Sequence, residues 1–241
     1  MTQLAADLWK KCFGTTPPAD HGDNGPWNPD WSHPNSQEGY DGVSQWVDPN
    51  FFFSKTVGWE NVGIIGVLAD YALNYLSGDI LEIGCGTSTI FLTALAEKYK
   101  RQIYYCDYEG CKIINPASVK GHMSETYGHF YLCPSDDMFA KNEVTPLAFT
   151  FIDGGHTYEQ AKNDFWNAEK LTVPNGYIAM HDTYPPTEHY VDFQACGDVY
   201  RFRQEIEKDK RFDVITLVGR ESYVPITLIR KKPLNRPYYQ E

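Results

Sequence analysis

The run Ile80-Leu81-Glu82-Ile83-Gly84-Cys85-Gly86-Thr87-Ser88-Thr89 constrains the fold more than any other part of the chain. An apolar strand leads into two glycines and then into hydroxyl residues suited to opening a helix. Glycine lets a backbone approach a ligand without a Cβ in the way, and the carboxyl end of the first strand is where open α/β sheets bind nucleotides. Two details narrow the ligand. The position three after Gly86 is Thr89, where a dinucleotide fingerprint wants a third small residue, and Glu82 lies at the loop entrance, where a pyrophosphate would be repelled. An internal carboxylate suits a cationic ligand without phosphate, and S-adenosylmethionine carries an ammonium and a sulfonium. Asp107 follows Gly86 by 21 residues, at the end of Ile103-Tyr104-Tyr105-Cys106, the spacing of an acid that accepts hydrogen bonds from ribose hydroxyls. The bland alternative is a structural turn and a strand-end acid.

Around this loop, short apolar runs alternate with helical patterns. Ile65, Leu68, Ala72 and Leu76 recur every three or four residues from Glu60 onward, and Gly78 stops that helix. Strands are expected at Ile80 to Ile83, Gln102 to Cys106, His129 to Cys133, Ala148 to Ile152 and Tyr177 to Met180. Helices are expected at Thr89 to Tyr99, Tyr158 to Leu171 and Val199 to Lys208. The alternation implies an α/β fold, Rossmann-like and doubly wound, with a mostly parallel seven-stranded sheet. Phe212 to Val218 and Tyr223 to Ile229, joined by Gly219-Arg220-Glu221-Ser222, read as an antiparallel C-terminal hairpin at one sheet edge.

Residues 56–241 therefore form the ligand-binding domain. Residues 1–55 hold six prolines with Trp27, Trp31, Trp46, Tyr40 and Phe51-Phe52-Phe53, which makes an irregular, aromatic-rich segment that packs on the domain or serves as a lid. A net charge of -11 and a pI near 5.1 disfavour nucleic acid and anionic membrane as partners. The sequence shows neither a signal-peptide pattern nor a membrane-length apolar run, and the expected location is the cytoplasm. Its six cysteines include no C-x-x-C pair and read as reduced core thiols.

Glu82, Gly84 and Gly86 match the E-x-G-x-G motif of the class I S-adenosylmethionine-dependent methyltransferases, which this sequence resembles. Phe151-Ile152-Asp153-Gly154-Gly155-His156-Thr157-Tyr158, with Asp164, then Pro174-Asn175-Gly176 and His181-Asp182-Thr183, is similar to the FIDG-H-Y and HDT pattern of one branch of that class. The resemblance spans roughly residues 60–230. It implies methyl transfer to a sugar or another hydroxyl-bearing small molecule, in some members with magnesium. It also implies donor contacts from Glu82, Gly84, Gly86, Thr87, Ser88, Asp107 and Asp153, with Ser135 and Asp136 at the adenine. Those last two residues could equally belong to an N-cap for a helix opening after Asp137.

Asp153 and Asp182 end successive strands about 29 residues apart, a βαβ crossover, so both side chains should emerge on neighbouring strands at one sheet edge. His156 and His181 flank them. In one reading, Asp153, His181 and Asp182 hold Mg2+ or another divalent cation that orients the acceptor hydroxyl and lowers its pKa. His181 stands where related metal sites carry a carboxylate, which permits a softer metal or none. In the other reading, His156 or His181 is the general base. A purely structural role for the cluster is the third possibility.

The acceptor is expected to be a small molecule or glycan bound by the loop Thr183 to Gly197, and a homo-oligomer is compatible with the sequence. Alternatives to O-methylation are N-methylation, transfer of another group from the same donor, and a non-catalytic binding or interaction module. Aminopropyl transfer, which favours an acid-rich polyamine pocket, fits the His156 and His181 pair poorly.

Overall fold

In a computed structural model the described residues are 59–108, 123–185, 191, 196–217 and 226–233. The segment 1–55, most of the loop after Thr183 and the turn at Gly219 to Ser222 lie outside them. The elements run α1 (Trp59–Tyr75), β1 (Asp79–Ile83), α2 (Thr87–Tyr99), β2 (Ile103–Asp107), β3 (Gly128–Leu132) and α3 (Ser135–Ala140). They continue with β4 (Leu147–Ile152), α4 (Tyr158–Leu171), β5 (Thr172–Met180), α5 (Val199–Ile206), β6 (Phe212–Leu217) and β7 (Ile226–Lys231). One seven-stranded sheet has the order β3-β2-β1-β4-β5-β7-β6. Its first five strands pair in parallel, and β7 pairs antiparallel with both β5 and β6. This is the Rossmann-like arrangement expected from the alternation, with the antiparallel pair at one edge. Among the described residues, no helix is long and apolar enough to cross a membrane.

Strand alternation divides the core between the two sheet faces. Leu81, Ile83, Tyr104, Ile178 and Met180 pack with Ala161, Phe165 and Ala168 of α4 and Phe202 of α5. Ile80, Ile103, Tyr105, Phe149 and Phe151 pack on the other face with Ile65 and Ala69 of α1 and Leu92 and Leu95 of α2. All six residues of β4 are buried, as a central strand covered on both faces requires. The buried cysteines Cys85, Cys106 and Cys196 and the half-buried Cys133 are free thiols.

Most boundaries shift by one or two residues, and those of β5 and α3 shift further. The strand expected from Tyr177 to Met180 begins at Thr172 instead, taking in Pro174-Asn175-Gly176. Asn175 takes a positive φ of 66° and the pairing with β4 slips between Leu147 and Phe149, so the strand absorbs the turn-forming residues as an irregularity. The helix expected after Asp137 begins at Ser135, with Pro134 as its N-cap, so neither Ser135 nor Asp136 caps it.

Glu82 points to the α1 and α2 face and is fully buried beneath the first turn of α2. Ser88 Oγ donates to its Oε1 at 2.5 Å and Thr89 Oγ1 to its Oε2 at 2.8 Å. Burial pushes its carboxyl up to about 8 against the lowering effect of the two hydroxyls. The unfolded chain therefore releases this proton near pH 4.5 and the folded chain only near pH 8. That contribution to stability is present at low pH and is lost as pH rises between those values.

Two outcomes follow. Urea unfolding of Glu82→Gln and wild type at pH 5, 6.5 and 8 should show the variant gaining on wild type as pH rises; a constant difference would contradict a protonated, buried Glu82. Phe165 is fully buried, with ring centroids of Trp166, Phe202 and Phe212 at 5.0, 5.2 and 5.5 Å. Phe165→Ala should cost about 3–5 kcal/mol by the same method, and a loss below ~1 kcal/mol would show that this face is not the packed core described.

Candidate active site

Strand order reverses between β1 and β4, and the turns that follow these strands meet at their carboxyl ends. Asp153 N–H donates to the Ile83 carbonyl at 2.7 Å. Gly84 has φ +87°, and a Cβ there would lie 2.0 Å from the Asp153 carbonyl oxygen. Only glycine allows this contact. The loop is fixed further by Gly84 N–H to the Cys106 carbonyl, 2.9 Å, Gly86 N–H to Thr89 Oγ1, 3.0 Å, and Cys85 N–H to Asp107 Oδ2, 3.0 Å.

The donor-site candidates take different positions around this loop. Glu82 and Ser88 are buried inside it and hold its shape, Gly84 and Gly86 form its turn, and Thr87 opens α2. Asp107 ends β2, 7% exposed, with Oδ1 also accepting from Tyr108 N–H at 2.6 Å. Burial raises its carboxyl pKa despite the two amide donors. Tyr108, half exposed beside this acid, is an aromatic surface the sequence reading passed over. Its signal was present, an aromatic directly after the acid at a strand end.

Ser135 and Asp136 sit apart from the glycine loop, after β3. The Ser135 hydroxyl donates to buried Asp164 of α4 and accepts from Gln160 Nε2 at 2.9 Å, while Asp136 is exposed and pairs with Asn163. Asp164, whose pKa burial lifts to about 6, also lies beside Gly154, where a Cβ would stand 3.6 Å from its Oδ2. Through α4 it connects the turn after β3 with the turn after β4.

At the ends of β4 and β5 the structure brings Asp153, His156, His181 and Asp182 together. His181 Nδ1 lies 3.0 Å from Asp153 Oδ1 and 3.1 Å from Asp182 Oδ1, and His156 Nε2 lies 2.9 Å from Asp182 Oδ2. Burial opposes protonation of both imidazoles, but the carboxylates outweigh it. The Asp182 hydrogen bond and charge raise the pKa of His156, and the charges of Asp153 and Asp182 raise that of His181 well above its ordinary value. Asp182 is nearly buried, which alone would raise its pKa, yet the two histidines hold its carboxyl well below the usual range. Its φ is +60°, a left-handed conformation that a non-glycine residue adopts at a cost. Thr183 anchors the chain just beyond: its carbonyl accepts from Arg203 Nε at 2.9 Å and its hydroxyl from Thr227 at 2.7 Å.

Two supports of this cluster were not legible beforehand. The Cys196 thiol lies against Asp182, and burial together with that carboxylate pushes it up to about 12. Gly197, at φ +58°, leaves no room for a Cβ beside the His156 carbonyl, which also accepts from Asp198 N–H. Cys196 read only as a core thiol because its chain distance from Asp182 says nothing about direction.

The cluster fits a cation. One ligand atom each from Asp153, His181 and Asp182 falls within 4.8 Å of the others. His181 Nδ1 is buried and makes no aligned hydrogen bond, although two carboxylate oxygens lie beside it. A buried nitrogen left this way calls for a partner. A cavity of about 10 Å³ beside the cluster, lined by Ile152, Ala161, Met180 and Val199 as well as Asp153, His156, His181 and Asp182, is far too small for an organic acceptor.

Residues 81–183, a little under half of the chain, match the model of a family described as "Methyltransferase domain". The fold is shared with solved structures at low identity. A cofactor-bound protein from MTB has 17% identity and a TM-score of 0.60, covering 81% of this chain and 88% of that one. The O-methyltransferase TomG from Streptomyces achromogenes, involved in tomaymycin synthesis and in complex with SAM, has 18% identity and a TM-score of 0.57, covering 79% and 88%. An O-methyltransferase from Bacillus cereus in complex with SAH has 19% identity and a TM-score of 0.57, covering 80% and 90%. The matched residues contain both the glycine loop and the Asp153 to Asp182 cluster, and the chain shares the Rossmann-like fold of these solved structures.

Proposed function

We propose that this protein transfers the methyl group of S-adenosylmethionine to a hydroxyl of a small molecule or glycan, with the hydroxyl activated at the Asp153, His181 and Asp182 cluster. The observation that carries this reading is the contact of the glycine loop with the Asp153 turn, which sets a donor cradle and an acid and imidazole cluster side by side. TomG and the Bacillus cereus protein hold SAM and SAH in the same fold, which supports the donor.

Asp107 is the acceptor for the ribose hydroxyls, and Tyr108 offers its exposed ring beside it. Glu82 acts from below, keeping Ser88 and Thr89 in place so that the loop keeps its shape. The acceptor hydroxyl comes to the open side of the Asp153 and His181 pair, where each side chain keeps between a fifth and a third of its surface exposed. Its oxygen attacks the methyl carbon in line as the carbon to sulfur bond breaks, the bonding pair stays on sulfur, and the hydroxyl proton is lost to solvent. A divalent cation held by Asp153, His181 and Asp182 would supply the Lewis acidity that makes this proton leave near neutral pH. His156 Nε2 is committed to Asp182 Oδ2 and His181 Nδ1 faces both carboxylates, and as a ligand His181 is neutral, so binding of the ion releases any proton held there. His156 is then a positioning residue that holds Asp182 through Oδ2 and leaves Oδ1 facing His181.

Calorimetry should show S-adenosylmethionine binding to wild type and a loss of about 10- to 100-fold in affinity for Asp107→Ala, the scale of hydrogen bonds to a charged group; no binding to wild type would refute the donor assignment. Asp182→Ala should leave donor affinity within about threefold while methyl transfer to hydroxylated acceptors falls by about 100-fold or more, with a matching loss when wild type is treated with a chelator. Transfer that proceeds unchanged in chelator would remove the cation from this account and leave the donor site standing.

A further inference from the structure

We infer that His181 makes the cluster selective for a first-row transition ion, in the range Mn(II) to Co(II), over magnesium. The inference rests on the cation reading above and adds the identity of the ion. Three features carry it. First, the donor set is mixed: two carboxylates and one imidazole nitrogen. Magnesium is a hard ion that favours oxygen ligands and retains water, whereas imidazole suits the later divalent ions.

Second, the imidazole cannot easily step aside to let water complete an all-oxygen shell. The His181 amide donates to the Ile152 carbonyl at 2.9 Å, and its ring stands edge-on to Phe151, 6.4 Å between centroids at 71°. Nδ1, the atom facing both carboxylates, is the buried one without an aligned hydrogen bond.

Third, support behind the ligands is in place, since Asp182 is held by His156 and packed by Cys196, and such groups fix ligand orientation.

The test is calorimetric titration of the metal-stripped full-length protein with Mg2+, Mn2+ and Co2+, with the visible absorption of the cobalt form as a second readout. Affinity for S-adenosylhomocysteine serves as the check that each protein is folded. Wild type should bind Co2+ and Mn2+ about 100-fold or more tightly than Mg2+, and the cobalt spectrum should change as the site fills. Because transition ions favour many sites, the deciding comparison is His181→Asp, which converts the set to three carboxylates. The Co2+ to Mg2+ ratio should fall to about tenfold or less, with His181→Asn moving it the same way. An unchanged ratio in both variants overturns the inference, as does wild type that binds Mg2+ as tightly as Co2+. If no ion binds while S-adenosylhomocysteine does, both this inference and the cation in the proposed mechanism fail, and the donor assignment survives.

Discussion

The turn at Gly84 and the turn at Asp153 press against each other with no side chain between them, and the site depends on that contact. Parallel pairing of β1 with β4 brings the two strand ends level, the Asp153 amide closes on Ile83, and the absent Cβ at Gly84 lets the backbones touch. Because the strand order reverses here, the chain leaving β1 turns to one face of the sheet and the chain leaving β4 to the other. A crevice opens between them. The glycine loop and Asp107 line one side of it, and Asp153, His156, His181 and Asp182 line the other.

Charge is distributed to suit that division. On the glycine-loop side the carboxyl of Glu82 is buried and kept toward its neutral form, while Asp107 is spent partly on fixing the loop through the Cys85 amide. On the other side, Asp153 and Asp182 draw positive charge toward His181 Nδ1, and His156 ties down the far oxygen of Asp182. Two carboxylates that close to each other are stable only with a cation or a proton among them. The left-handed conformation of Asp182 belongs to the same picture: it is a local cost offset by Thr183, His156 and Cys196 around it, and strain of this kind collects at sites where a side chain must be aimed.

Much of this was legible in the residues. The alternation of apolar runs with helical periodicity specified the sheet and its covering helices, because strand and helix periods differ and each must bury its own apolar side. Asp153 and Asp182 could be placed together because each follows an apolar run and one crossover lies between them. Direction was the part that spacing could not supply. Glu82 had the right position for a ligand contact, but strand alternation turns it under α2, where Ser88 and Thr89 occupy both oxygens. Ser135 likewise turns its hydroxyl into α4, toward Asp164. The strand expected from Tyr177 starts at Thr172 because Thr172 pairs with Leu147, while residues 173–176 have no partner in the registers with β4 and β7. The contribution of Cys196 arises from long-range packing that no motif marks.

The most direct test of the account is a crystal structure of the protein with S-adenosylhomocysteine and Mn2+ bound. The account predicts the ribose at Asp107, the sulfur directed across Gly84 toward the Asp153 turn, and the ion ligated by Asp153, His181 Nδ1 and Asp182. A ligand whose sulfur points away from that turn, or one bound elsewhere on the sheet, would contradict it.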